Sequence, residues 1–258
     1  MAENPRIQQS INGQTVDIQT GGSGDTLLIL HHDIGNPGWL PFYDLLSDKF
    51  SVYVPSHPGF DTSDRPDWMR SVRDMATTYQ WMLREMGIDK PYIVGLGFGG
   101  WIAAEMATTA SDHIRGMSLV NPMGLQPKEG EIMDQFLLNS EEYITSGFAD
   151  LTSYHSTFGD LPDVDQLVTW EINREMTTRI AWKPYMFDRS LEQLLRAVET
   201  PTQLIAGKQD RIVPPVCCDQ FAGLIPNSTV AHIDQCGHFP DIEKPDELAN
   251  LIIDFATL

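Results

Sequence analysis

A formal net charge of −19 over 258 residues argues against nucleic acid and anionic membrane as partners, since both would repel such a surface. Hydrophobic residues make up 41% of the chain, enough to fill the core of one large α/β domain. Three cysteines, two of them adjacent (Cys217 and Cys218), supply neither a disulfide framework nor metal-ligand spacing, so a reducing cytoplasm is the expected setting and no metal or cofactor is expected.

The first segment, MAENPRIQQSINGQ, has no apolar core of signal-peptide length, and no run elsewhere is apolar for long enough to span a bilayer. RIQQSINGQTVDIQT reads as two alternating strands joined by Asn12-Gly13, the strongest short hairpin signal. GGSGD then turns the chain into TLLILHH, a continuous apolar run that fits a buried central strand. FYDLLSDKF predicts a short amphipathic helix and SVYVP another strand. DWMRSVRDMATTYQWMLREMG has apolar residues at helical spacing and stops at Gly87. PYIVGLG, FGGWIAAEMATTA and HIRGMSLVNP follow as strand, helix and strand. From about residue 126 to residue 189 the pattern changes to helical segments rich in Met, Phe, Tyr and Trp. The alternation resumes with PTQLIAG, a helix from Pro214 to Leu224, STVAHID and a closing helix, PDELANLIIDFATL. Such alternation implies an α/β fold with a mostly parallel sheet covered on both faces. Residues 1–125 and 190–258 form its core, and 126–189 an insertion over the sheet, not an independent domain.

The stretch YIVGLGFGG, Tyr92 to Gly100, admits two readings. Gly95, Gly97 and Gly100 satisfy G-x-G-x-x-G, the phosphate turn of a dinucleotide-binding unit. That unit also requires an acidic residue about 20 positions on, at the end of the next strand. Asn121 stands there, and the motif comes after several other elements instead of opening the domain, so this reading fails. The alternative is G-x-S-x-G, a strand-to-helix elbow, with glycine in place of the nucleophilic serine. It demands an oxyanion loop after an early strand, an acid after a late strand and a histidine near the C-terminus. LILHHDIGNPGW, Asp210 in LIAGKQDRIVPP and His238 in DQCGHFPDIEKP meet those demands in the expected order.

On these motifs the chain resembles the α/β-hydrolase superfamily, and more closely its cap-bearing branch of esterases, C–C bond hydrolases and dehalogenases. HPGFDTSDRP, WIAAEMA and GHFPDIEKPDELANLI extend the likeness over nearly the whole chain. The resemblance implies an eight-stranded sheet, a helical cap over 126–189, an Asp210–His238 pair and backbone oxyanion donors at Phe98 and Asp33. Two departures stand out: Gly97 leaves the nucleophile position vacant, and the loop's common His-Gly is His31-His32. The fold and the dyad therefore transfer, and covalent catalysis does not.

Glycine has no atom that could form an acyl-enzyme. The missing hydroxymethyl is expected to leave room for a water beside His238. Hydrolysis of a small, largely apolar carbonyl or ester-like substrate by His-activated water is the leading reading, on the frequency of hydrolysis in the superfamily. The alternatives are proton-transfer chemistry (lyase, isomerase, cyclase or cofactor-free oxygenase), a catalytically silent small-molecule binder, and a serine hydrolase whose nucleophile was replaced by Gly97. Replacing Gly97 by serine is expected to restore reaction with a phosphonate if the elbow is intact. His31 is read as structural, and Glu105 as a buried or interfacial structural carboxylate. Asp33 could also hold a water. His32, Trp39, Trp101, Phe136, Trp182, Tyr185 and Met186 are pocket candidates, with plain core packing the equal alternative for each. A small-molecule substrate is the expected partner, and a homodimer is compatible with the sequence.

Overall fold

The computed structural model describes residues 5–257. Eight strands form one sheet: β1 (Arg6–Ile11), β2 (Gln14–Gly22), β3 (Thr26–Leu30), β4 (Ser51–Pro55), β5 (Tyr92–Leu96), β6 (Gly116–Val120), β7 (Thr202–Gly207) and β8 (Ser228–Ile233). Their order is β1-β2-β4-β3-β5-β6-β7-β8, with β1 and β2 antiparallel to their neighbours and every pairing from β4 onward parallel. The hairpin turn sits at Asn12 and Gly13, whose φ angles of 50° and 77° suit the left-handed turn that Asn-Gly favours. Strands β5, β6 and β7 are buried along their whole length, as their continuous apolar sequences require.

The helices are α1 (Pro41–Ser47), α2 (Val72–Glu85), α3 (Phe98–Ala110), α4 (Ser140–Ser146), α5 (Thr152–Phe158), α6 (Val164–Ala181), α7 (Leu191–Leu194), α8 (Val216–Ala222), α9 (Pro240–Glu243) and α10 (Pro245–Ala256). The apolar periodicity before Gly87 begins as helix only at Val72, because Ser71 caps it by accepting from the Asp74 amide. The closing helix ends at Ala256; Leu258 and residues 1–4 lie outside the described residues. One apolar layer packs α2, α3 and α8 on one face of the sheet, and a second packs α1 and α10 on the other.

Between β6 and β7 the chain inserts α4, α5, α6 and α7, but residues 126–139 form no helix, so the helical part starts at Ser140. One of the ties between the insertion and the core is a buried amide. Asn173 on α6 is fully buried; its Nδ2 donates to the Ile34 carbonyl at 2.8 Å and to Asp61 Oδ1 at 2.9 Å, while its Oδ1 accepts from the Asp61 amide at 2.8 Å. Replacing it by alanine takes the partner from one buried acceptor (Ile34), one part-buried acceptor and one part-buried donor (both on Asp61). Asn173→Ala is expected to lower unfolding free energy by about 1–3 kcal/mol per orphaned group at most, and denaturant unfolding of the two proteins measures the difference.

Candidate active site

The parallel register brings the ends of β3, β5, β6, β7 and β8 to one edge of the sheet, where α/β folds bind ligands. After β5 the backbone turns at Gly97, with φ +52° and ψ −106°, and enters α3 at once. The neighbouring glycines exist for close packing. A side chain at Gly95 would meet the Gly100 Cα at 2.6 Å, and one at Gly99 would run into the Leu30 carbonyl. The Gly99 amide instead donates to the His31 carbonyl at 3.0 Å. Helix, strand and loop lock together by backbone, which accounts for the glycines without a phosphate ligand.

After β7, Asp210 is held by the amides of Ile212 and Val213, which donate to Oδ1 at 2.8 and 2.9 Å. Its Oδ2 lies 2.7 Å from Nδ1 of His238, and both side chains are fully buried. The histidine loop is braced from three sides. The His238 amide donates to the Gly147 carbonyl at 2.6 Å, Asn121 Nδ2 donates to the carbonyls of Gly237 and His238, and Glu243 accepts from the amides of Gly237 and Ala149. Burial pulls the His238 imidazole down, but the Asp210 charge and hydrogen bond, with Asp33 and Asp241, outweigh it and hold it above its usual 6.5.

The loop after β3 carries His31, His32 and Asp33, all buried. His31 is structural: Nδ1 donates to the His32 carbonyl at 2.7 Å, Nε2 accepts from the His57 amide at 2.9 Å, and its ring stacks on His57 at 3.6 Å. These bonds require a neutral ring, and burial moves both imidazoles below 6.5, His57 well below. Asp33 Oδ2 accepts from the Tyr143 hydroxyl at 2.8 Å, and Oδ1 has no partner among the described residues. Beside it is a cavity of about 10 Å³, room for roughly one water, bordered by Gln135, whose Nε2 is likewise unpartnered. Among the described residues the amides of Asp33 and Phe98 donate to no protein acceptor, and Phe98 opens α3, where first-turn amides lack intrahelical partners.

The space at Gly97 is not open. The three heavy atoms nearest a Cβ placed there are His32 Nδ1 at 2.6 Å, His238 Nε2 at 2.7 Å and His238 Cε1 at 3.3 Å. The expectation of open space is corrected for a side chain: both imidazoles lie against the position a Cβ would take. His32 thus belongs to the site, held by Nε2 at 3.0 Å from Asp241 Oδ1. Sequence reasoning missed Asp241, Tyr143, Gln135 and Asn173. Only Asp241 left a local signal, three residues past His238 at the start of α9.

The other pocket candidates serve elsewhere. Trp39 lies against Gly21 of β2 and donates to Asp44 Oδ1 at 2.6 Å. Trp101 covers Gly124 and donates to Glu105, itself buried and paired with Arg73 at 2.9 Å. Phe136, Trp182 and Tyr185 form an aromatic cluster within the insertion, with Trp182 half exposed and the Tyr185 hydroxyl bonded to the Met133 carbonyl. Met186 is fully buried, its carbonyl accepting from the Gly124 amide. Four larger cavities, of about 360 to 760 Å³, have neither Gly97 nor His238 in their walls. Among the described residues no group of three or more His, Cys, Asp or Glu is placed to hold a metal, and no helix is long and apolar enough to cross a membrane. Burial pushes the Cys217 thiol up to about 12.

A sharp elbow after β5, an acid after β7 and a histidine ahead of the last helices, all on one sheet edge, define an α/β-hydrolase scaffold. The chain belongs to the alpha/beta hydrolase family, whose model matches residues 27–251. It is 25% identical over 241 residues to a putative carbamate hydrolase RutD of Serratia proteamaculans, covering 88% of this chain and 89% of that one. It is 24% identical over 259 residues to the monoacylglycerol lipase ABHD6 of Mus musculus, covering 91% and 76%. Among solved structures, the meta-cleavage product hydrolase CumD of Pseudomonas fluorescens superimposes with a TM-score of 0.82 at 20% identity, covering 97% of each chain.

The crowding at Gly97 yields a test of the elbow. The expectation that Gly97→Ser would react with a serine-directed phosphonate is corrected: with the elbow intact, its Cβ would press on both rings, and the single variant is expected to resist. The double change Gly97→Ser with His32→Gly removes one ring and is expected to label, with intact-mass spectrometry as the measurement. Rapid labelling of the single variant would show that the rings yield freely.

Proposed function

We propose that the protein is a hydrolase of small, largely apolar carbonyl or ester-like substrates that works without a covalent intermediate, His238 activating the water. One observation carries this reading. The buried imidazole is held at Nδ1 by Asp210, and its unpartnered Nε2 lies 2.7 Å from the point where a serine Cβ would stand. Gly97 occupies the place of the nucleophile and offers no oxygen, so water must supply it.

With the Nδ1 proton committed to Asp210, neutral His238 presents a lone pair at Nε2 and accepts a proton from water as the oxygen bonds to the substrate carbonyl carbon. The amides of Phe98 and Asp33 receive the developing oxyanion, a stabilisation of about 3 kcal/mol for each such donor. The leaving atom departs with a proton from the imidazolium. The matched relatives support the reaction class: by name they hydrolyse a carbamate, a monoacylglycerol and, in a Pseudomonas relative, a 2-hydroxymuconate semialdehyde.

The cavity beside Asp33, about 10 Å³, is far below the roughly 300 Å³ of a small-molecule site. Substrate entry therefore involves parting the helical cap from the oxyanion loop at the Tyr143–Asp33 contact. His238→Ala is expected to lower kcat on activated esters by about 10²- to 10⁴-fold. Because the folded imidazole titrates above 6.5 and the base is its neutral form, activity should rise with pH on a limb lying above 6.5. The sign reverses for stability: protonated His238 favours the fold, a contribution full below 6.5 and lost as pH climbs through the raised value. Product formed in isotopically labelled water should carry the label. Activity indifferent to His238→Ala, or unlabelled product, would refute water activation by this residue.

A further inference from the structure

Two buried nitrogens with no partner among the described residues belong to different histidines and face one point. His32 Nδ1 and His238 Nε2 lie 2.6 and 2.7 Å from the Cβ position of residue 97, and the ring centroids are 5.1 Å apart. Each ring is backed by its own carboxylate on the far nitrogen: Asp210 behind His238 at 2.7 Å and Asp241 behind His32 at 3.0 Å. All four side chains are buried. Filling the space left by a hydroxymethyl would need only a ring of the right size. It would not need a carboxylate that fixes which nitrogen keeps the proton.

With both rings neutral, each carboxylate holds the proton on the far side, so two lone pairs converge with no donor between them. Leaving buried acceptors unsatisfied is costly. A single added proton turns one ring into a donor toward the other or toward a bound molecule. Asp33, which accepts from Tyr143, and Asp210 and Asp241 raise the proton affinity of His238. A second proton would set two imidazoliums against each other. His31, next in the loop, is held neutral and adds no charge.

Building on the hydrolytic reading above, we infer that His32 is a second catalytic group, positioned by Asp241, and that the His32–His238 pair works with one proton between its two rings. The neutral ring takes a proton from water while the water oxygen bonds to the carbonyl carbon. The charged ring gives its proton to the leaving atom as the bond from carbon to that atom breaks. The pair finishes with the proton moved from one ring to the other. One water is consumed and no further reactant is needed.

The test uses the full chain. Wild type should give a bell-shaped profile of kcat/KM, rising on the limb above 6.5 as the pair sheds its second proton and falling on an alkaline limb as it loses the shared one. His32→Gln should lower kcat by about 10²-fold with KM within about threefold, and abolish the alkaline limb. Asp241→Asn should act in the same direction, and Asp241→Glu should keep the bell shape; thermal melts establish that each variant is folded. An unchanged kcat and bell in folded His32→Gln would overturn the inference. NMR titration of the imidazole nitrogens reads the pair without turnover. His238 should titrate in two steps more than about one pH unit apart, collapsing to one step in His32→Gln or, should that variant not fold, in His32→Asn. Two steps in a protein that hydrolyses nothing would uphold the pair and sink the hydrolytic reading. A single step, unaltered by the substitutions, would overturn the pair even where hydrolysis is real.

Discussion

Residue 97 can be nothing larger than glycine while the rings of His32 and His238 lie where they do. The constraint is steric at 2.6 and 2.7 Å, and it joins two positions 65 residues apart in the chain (97 − 32). The turn's φ of +52° is one that glycine adopts without the penalty a side chain incurs. With serine there, the His32 ring would have to find another place. The two departures from the family pattern, histidine in the loop and glycine at the elbow, are thus one departure seen from two sides. That linkage weighs against a glycine introduced alone into an ordinary serine site.

The scaffold around this point is built to keep the rings still. Asn121 sits at the end of β6 with φ 45° and ties three backbone groups, accepting from the Gly207 amide and donating to the carbonyls of Gly237 and His238. Glu243 closes the same loop from α9 and reaches the insertion through the Ala149 amide. Burial, the largest influence, raises its pKa despite those amide donors, the expected result for a half-enclosed carboxylate. Phe239 packs on the His32 ring at 4.8 Å and on Phe148 of the insertion at 4.9 Å. Sheet, loop and insertion therefore meet at the histidine, so motion of the insertion and the orientation of His238 are mechanically connected.

Much of the fold was legible because its signals are local. Alternation in β1 and β2, continuous apolar runs in the central strands and helical spacing in α2 each follow from a few neighbouring residues, and the elbow, acid and histidine are short motifs in a recognisable order. The Gly97 site was legible as an absence. Its filling was not, because His32, Asp241 and Gly97 come from three distant segments and nothing in LILHHDIG says which way the second ring turns. The aromatic candidates failed for a different reason. A tryptophan advertises burial and not the surface it is buried against, and Trp39 and Trp101 went to β2 and to Gly124. Tyr143 and Asn173 carry ordinary helix-surface sequence until the fold sets them over the loop after β3.

Electrostatics narrows what this site could receive. Asp33, Asp210 and Asp241 are three carboxylates within a buried space that holds two imidazoles, in a chain already at −19. Hydrogen bonds offset part of the cost of burying them: the Tyr143 hydroxyl on Asp33, two amides on Asp210 and one imidazole N–H each on Asp210 and Asp241. The remaining negative potential opposes a ground-state anion, since burying a further charge of the same sign is heavily penalised. A neutral carbonyl compound meets no such barrier. In the reaction proposed above, the negative charge that develops on its oxygen would meet the amides of Asp33 and Phe98, which have no acceptor among the described residues, as an imidazole becomes positive. Under the proposed reaction, such a site would be matched to charge that appears during catalysis and not to charge carried in, which would favour a neutral ester, amide or ketone over a carboxylate-bearing substrate.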